Sequence, residues 1–436
     1  MTDLNRPGWT TRNFKSICKY MVNGGTPDTS NSSYWGGSTP WITGADFDSY
    51  GLGEFRRYIS DSAIRTTSTN VVRSRNLLIV TRTGVGKIAV TPCDVAISQD
   101  ITGVYVDEEQ VDTKYLFFQM IRGTEELKKL NQGTSINGII RRDLERYPVS
   151  FPTSLAEQRK IVAVLNAISQ EIEKTDALIA KYQQIKAGLM HDLFTRGLDE
   201  NGELRPPREE HPEMYKNSPL GWIPKNWQVI ELGSICESVT SGSRGWAKYY
   251  SPDGAIFIRI GNLTRENPNF RWNSIEYVKP PFTAEGRRTA VEKGDILISI
   301  TADLGIIGIV GGDMGEAYVN QHIALARPNH NLVNSRFVGH FLSSELAQKQ
   351  FIALNDSGAK AGLNLPTVRG LLIANPISSK ESDRIANSVD GVDRYIESLR
   401  AEMRKLEFRK KGIMHDLLTG DVPVKLSVSA SEPAHV

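Results

Sequence analysis

The sequence predicts a mixed α/β chain written twice: two similar globular domains separated by two long helices that pair as an antiparallel coiled coil, giving a pseudo-two-fold internal repeat. Three observations predict it. A tail motif recurs in register, a long heptad seam precedes each tail, and short β-rich runs broken by turns precede each seam.

The repeat is plainest at the tails. Gly188-Leu189-Met190-His191-Asp192-Leu193-Phe194-Thr195 returns 224 residues later as Gly412-Ile413-Met414-His415-Asp416-Leu417-Leu418-Thr419. The same offset takes Pro152 to Pro376, Glu157 to Glu381 and Ile172-Glu173 to Ile396-Glu397. Further back the offsets shrink slightly, as small loop deletions would make them. Trp9 with Ser16-Ile17-Cys18 matches Trp227 with Ser234-Ile235-Cys236, Leu77-Leu78-Ile79 parallels Ile296-Leu297-Ile298, and Ser98-Gln99-Asp100-Ile101 parallels Asn320-Gln321-His322-Ile323. Several matches in one order point to tandem duplication.

In the first arm Ile161, Leu165, Ile168, Ile172, Thr175, Ile179, Tyr182, Lys186, Leu189 and Leu193 fall at spacings of four and three. That is an a/d seam. The second arm repeats it with Ile385, Val389, Val392, Ile396, Leu399, Met403, Leu406, Lys410, Ile413 and Leu417, and both seams carry lysine at the same place. So narrow a stripe needs a partner helix. A dimer between chains would satisfy it, but each chain already holds a copy, which favours antiparallel pairing within the chain. The seam from Ile161 to Leu193 spans about 48 Å at ~1.5 Å per residue.

These readings divide the chain into a first domain (1–151), a first spacer helix (152–197), a proline-rich, semi-rigid linker (198–226), a second domain (227–375), a second spacer helix (376–420) and a flexible tail (421–436). Helices are expected over Tyr115 to Leu130 and Phe337 to Leu354, each followed by a Gly-rich loop (133–138 and 357–362) suited to close approach of a ligand backbone.

Basic and aromatic residues interleave in the loops, a pattern that suits phosphate pairing and base-edge contacts. The candidates are Trp41, Arg82, Lys87, Gln99, Ser135, Asn137, Arg141 and Arg142 in the first domain, with Arg244, Lys248, Arg259, Gln321, Lys360 and Asn364 in the second. A net charge of only +2 means any such site is a local patch.

Other classes lack support. No stretch approaches a membrane span and the N-terminus has no apolar signal core, so a cytoplasmic, membrane-free protein is expected. Three scattered cysteines and no CxxC pair argue against disulfide or zinc frameworks. Thr83-Gly84-Val85-Gly86-Lys87 lacks the leading glycine and the Ser/Thr of a phosphate loop, and reads as a hairpin turn. Asn267-Pro268-Asn269-Phe270 comes near an amino-methyltransferase signature, but no Gly-rich cofactor loop accompanies it. In His191-Asp192 and His415-Asp416 the neighbouring side chains point about 100° apart on a helix, which suits capping or subunit contact better than catalysis. No catalytic residues and no metal ligands are expected.

Several residues together resemble the specificity subunits of type I restriction-modification enzymes: Pro152 through Glu157-Gln158-Arg159-Lys160-Ile161, the two tails, Ile223-Pro224-Lys225-Asn226-Trp227 and Lys293-Gly294-Asp295-Ile296-Leu297. Lys380-Glu381-Ser382-Asp383-Arg384-Ile385 departs from the pattern, lacking its glutamine. The resemblance implies two target-recognition domains, each reading half of a split double-stranded DNA sequence, with the helices as a ruler. It implies two methyltransferase (modification) subunits as partners, restriction motor-nuclease subunits recruited through the complex, no cofactor on this chain, and S-adenosylmethionine in the methyltransferase. A protein-binding coiled-coil scaffold and a DNA enzyme with an unrecognised site are the alternatives.

Overall fold

The structure, a computed structural model, describes residues 6–48, 51–129, 138–242, 244–280, 284–312, 314–356 and 362–424. The chain forms two compact units, Met1–Ala177 with Ala401–Val436, and Leu178–Arg400.

In the first unit Cys18–Asn23, Ile101–Val106, Leu77–Val80 and Ile88–Val90 form a four-stranded antiparallel sheet in that spatial order. A second sheet orders Tyr58–Ile59, Trp35–Ile42, Val95–Ile97 and Asn70–Val72, with Trp35–Ile42 and Val95–Ile97 running parallel. Side chains alternate faces along a strand, so the apolar run Leu77–Val80 feeds two cores. Leu77 and Ile79 join Phe14, Leu116 and Met120, while Leu78 and Val80 join Ile42, Val95 and Ile97. This is why the run shows no polar alternation.

The second unit repeats the plan. Cys236–Ser241, Ile323–Pro328, Ile296–Ser299 and Ile307–Ile309 make one sheet, and Tyr250–Ser251, Glu276–Val278, Ala255–Ile258 and Ala317–Val319 the other, again with one parallel pair. Ile296 and Ile298 enter one core and Leu297 another. Where the first unit has strand Asn70–Val72, the second has a single bridge, Ala290 to Tyr318. In each unit a further two-stranded ribbon joins the domain's start to its end, Trp9–Asn13 with Pro148–Pro152 and Trp227–Glu231 with Leu372–Pro376.

Each expected domain helix is two helices: Thr113–Arg122 and Thr124–Lys129, then Ser335–Ser343 and Glu345–Asp356. Gly123 stands between the first pair, where the Tyr147 hydroxyl occupies the space that a Cβ would take, so only glycine fits there. Asp112 and Asn334 cap the two leading helices, each accepting two backbone N–H groups.

The arms are continuous helices of 41 residues, Leu155–Thr195 and Ser379–Thr419. In the first unit Ile161, Val162 and Leu165 share a core with Met414, Leu417 and Leu418. In the second, Leu193 and Phe194 share one with Ile385, Ala386 and Val389, and the Tyr182 and Tyr395 rings lie 4.5 Å apart. The start of each arm therefore meets the end of the other, which makes the pairing antiparallel. The seam positions Ile168, Ile172, Ile179, Ile396 and Leu406 are buried, and Leu189, Val392, Met403 and Ile413 are half-buried. After each arm a left-handed glycine turns the chain, Gly197 at φ +65 and Gly420 at φ +71. Any side chain there would collide with Trp227 or Trp9 respectively, at 2.8 and 2.7 Å, so the tryptophans of the repeat are the floors on which the arms end.

Residues 198–226 are folded into the second unit rather than strung as a bare linker. Tyr215–Ser218 and Gly221–Pro224 form a hairpin, Leu198, Leu220 and Ile223 are core, and buried Arg205 pairs with Glu381 at 2.7 Å. Of the expected tail, residues 425–436 lie outside the described residues, while Val424 packs against the first core.

Candidate nucleic-acid interface

In both units segments that carry several of the candidates meet at the C-terminal end of the central strand. The backbone N–H groups of Thr81 and Arg82 both donate to Asp100 O, at 2.8 and 3.3 Å, bringing Gln99-Asp100 beside Arg82. Ile139 N donates to Thr81 O at 2.7 Å, so the chain leaves its Gly-rich loop at the same point. The second unit does likewise: Ile300 N donates to His322 O at 3.0 Å and Leu363 N to Ile300 O at 2.9 Å. Sequence order hides this meeting of three distant segments; strand pairing creates it.

The first unit's turn is basic. Gly84 and Gly86 adopt φ +91 and +93, forming the expected hairpin turn between Leu77–Val80 and Ile88–Val90. Arg82, Lys87, Thr124 and Lys128 border an open groove of about 540 Å³. Lys87 Nζ donates to Gly44 O at 2.7 Å, which ties the turn to the second sheet. Lys128, which the sequence reading passed over, pairs with Glu125 at 2.7 Å. Gln99 is exposed and accepts a hydrogen bond from Thr26. Arg142 is exposed, whereas Arg141 is held by Glu145 at 3.0 Å.

Trp41 is corrected. It is 3 % exposed, its indole N–H donates to Gly25 O at 3.0 Å, and it packs edge-on to Trp35. Arg57 stacks over its ring at 4.6 Å, so the exposed group here is the guanidinium. Ser135, Asn137 and Lys360 lie outside the described residues.

The second unit's turn differs in charge. Asp303 and Leu304 O there hold Arg265, whose Nη2 reaches Leu304 O at 2.7 Å. Gln321 lies 3.0 Å from His322, which in turn meets Thr301 at 2.8 Å. Arg244 and Lys248 are exposed, with the Lys248 ammonium 4.9 Å over Tyr249. Arg259 pairs with Glu276 at 3.3 Å. Asn364 caps helix Leu365–Arg369, its side-chain oxygen accepting from Thr367 N at 2.8 Å, so that oxygen is committed to structure.

No acid/base or nucleophilic centre forms at the residues that suggested one. Burial pushes the Cys18 and Cys236 thiols up to about 12, away from thiolate chemistry. Asp192 faces Arg196 at 3.6 Å, and exposed His415 faces Asp421 at 3.7 Å. His340, Asp390 and Asp393 bring potential ligand atoms within 4.8 Å of one another. Lys186 already sits 2.6 Å from Asp393, and Arg336 makes two hydrogen bonds to Asp390. Two cations balance two carboxylates, so a buried divalent ion would add uncompensated charge and the cluster does not fit one. Burial holds His340 below its ordinary pKa. Burial alone would raise the Asp390 carboxyl, but hydrogen bonds from His340 and Arg336 outweigh it and hold the group well below the usual range.

The family described as "Type I restriction modification DNA specificity domain" matches residues 7–181 and again residues 224–407. The chain belongs to that family. Two matches, one per repeat, are what duplication of a specificity domain requires. This specificity subunit is 22% identical over 378 residues to the type I restriction enzyme MjaVIII specificity subunit of Methanocaldococcus jannaschii, covering 84% of each chain. It is 22% identical over 333 residues to the EcoBI specificity subunit of Escherichia coli, covering 74% of this chain and 67% of that one. Its fold is similar to the crystal structure of the type I restriction-modification S subunit from M. genitalium, with TM-score 0.60, 16% identity and coverage of 96% and 98%. As a type I specificity subunit it recognises DNA sequence, is non-catalytic, and works with methyltransferase and restriction subunits. Among the described residues no helix is long and apolar enough to cross a membrane.

Proposed function

We propose that this specificity subunit reads a bipartite double-stranded DNA target, one half-site per domain, with the paired arms setting the spacer. The domains are 1–151 and 227–375. The observation that carries this reading is that both repeats gather a strand end, a glutamine-bearing turn and the exit of a Gly-rich loop in one place, on arms whose two halves pair in opposite directions. Arg82, Lys87, Gln99 and Arg142 in the first domain, and Arg244, Lys248 and Gln321 in the second, are the proposed DNA contacts. Lys128 joins them as an exposed basic group on the groove that Arg82 and Lys87 border, and Arg57 as the exposed guanidinium over Trp41. Two methyltransferase subunits bind the chain, supply S-adenosylmethionine chemistry, and connect it to the restriction subunits.

The test is geometric. Half-sites about one duplex turn apart, ~34 Å, present the same face of DNA to both readers. Deleting one heptad from both arms removes about 10 Å of rise and shortens the preferred spacer by roughly 3 base pairs. Methylation mapping of the assembled complex reads the spacer directly, and an unchanged spacer refutes the ruler. Exchanging residues 1–150 for those of another specificity subunit changes one half-site; a change in both refutes independent reading.

A further inference from the structure

The seam lysine has a job in the second unit that helix pairing does not demand. Lys186 is buried, and its ammonium donates to Asp393 Oδ1 at 2.6 Å and to the backbone oxygen of Glu266 at 2.7 Å. Glu266 lies in the loop between strands Ala255–Ile258 and Glu276–Val278, the loop that carries Arg259, Arg265 and Arg271. Its carboxylate takes Arg400 of the second arm at 2.5 Å, and Arg400 is oriented by Glu397 at 3.0 Å. Asn267, 7 % exposed, extends the same contact toward Glu397. One loop of the globular domain is thus gripped by both arms at once, through the buried Lys186 ammonium and the more exposed Glu266–Arg400 pair.

The first copy shows that the seam pairs without this grip. The residues equivalent to Asp393, Asp390 and His340 are Ser169, Asn166 and Phe118, all uncharged. Lys410 stands where Lys186 does, makes no ion pair among the described residues, and burial holds its pKa down. Charge at position 393 is therefore dispensable for pairing arms, and in the second copy Asp393 holds the ammonium that bonds the loop.

We propose that Lys186, Asp393, Glu266 and Arg400 form a positioning clamp that fixes the second recognition domain on the arms and so sharpens the spacer the protein accepts. The buried Lys186–Asp393 pair needs close-fitting geometry to offset its desolvation, so it fixes the ammonium that donates to the Glu266 carbonyl and leaves that point of the loop little room to move. The proposal rests on the ruler reading above, and its residues act through the domain's placement rather than by touching bases.

The experiment uses the full chain assembled with its methyltransferase subunits and DNA duplexes whose spacers run from two base pairs short of the optimum to two beyond. Two variants release the loop. Glu266→Ala removes a half-exposed carboxylate, and the double variant Lys186→Met with Asp393→Leu keeps the seam apolar and packed. Each is expected to lower the ratio of methylation at the optimal spacer to that at its neighbours by about tenfold, with base preference within both half-sites unchanged. Hydrogen exchange is expected to show lower protection confined to residues 263–275. A sharp wild-type spacer preference that both variants retain, unchanged protection of the loop, or an altered base preference in the second half-site would each overturn the clamp. A wild-type complex indifferent to spacer length sinks the ruler reading, and the clamp's effect on spacing with it; protection of the loop still reports whether the grip exists.

Discussion

Replacing Lys186 alone by methionine makes a quantitative demand on the second unit. The side chains of Lys186 and Asp393 are 9% and 3% exposed, so the substitution strands a buried carboxylate and leaves the Glu266 carbonyl without its donor. Breaking a buried pair from one side costs about 3–5 kcal/mol. The carboxylate has an escape: it can take a proton. With an unfolded pKa near 3.9, that route costs about 4 kcal/mol at pH 7 and about 1.5 kcal/mol at pH 5, so it caps the damage at both. Burial already raises the Asp393 carboxyl with Lys186 present, and removing the lysine raises it further. A carboxyl raised in the folded state contributes stability below its unfolded pKa and loses it as pH rises, so Lys186→Met should be worst near neutrality and recover toward pH 5. The double variant with Asp393→Leu buries no charge and should lose only about 1 kcal/mol, for the missing hydrogen bond to Glu266. Urea unfolding of wild type and both variants at pH 7 and pH 5, compared at equal pH, measures all of this. A single variant no worse than the double, or a penalty independent of pH, would refute the account of the pair as a buried, mutually compensating charge.

Four further outcomes follow from the same structure. Gln158 is fully buried and joins Asp112 N at 2.7 Å, Pro152 O at 2.8 Å and Gln110 O at 3.0 Å; Gln158→Ala should destabilise the first unit by about 3 kcal/mol, read by urea denaturation. The equivalent Ser382 hydroxyl, among the described residues, bonds only locally, to Ser379 O at 2.8 Å, so Ser382→Ala should cost under about 1 kcal/mol. Cysteines at Ile161 and Leu417, which share a core, should crosslink on oxidation, while cysteines at Ile161 and Ile385 should not; the reverse result contradicts antiparallel arms. Arg82→Ala with Lys87→Ala should weaken DNA binding by the assembled complex and flatten its salt dependence, by about 1 in log–log slope for each phosphate that is no longer neutralised, which titrations at several salt concentrations would show.

Much of the candidate site was invisible in the sequence because its parts are distant along the chain. Gln99, Arg82 and the segment after the first Gly-rich loop meet only because Thr81 pairs its backbone with both Asp100 and Ile139. Trp41 looked like an exposed aromatic among basic residues, and burial reversed that reading, since no pattern in a single strand says which face a neighbouring ring will cover. Asn364 looked like a base reader and is a helix cap, a role that depends on where a five-residue helix happens to begin.

The sequence alone determined the duplication, the heptad seams and hence the two long helices, because periodic side chains and an internal copy are local or self-referential information. It also carried the family, through motifs spread along both repeats. Only tertiary structure decided how the proline-rich stretch 198–226 would be used, which basic residues face solvent, and that one seam lysine holds a loop of the second domain while its twin, among the described residues, holds none. Those outcomes turn on burial and charge compensation, which depend on the residues brought opposite in space rather than on neighbours in the chain.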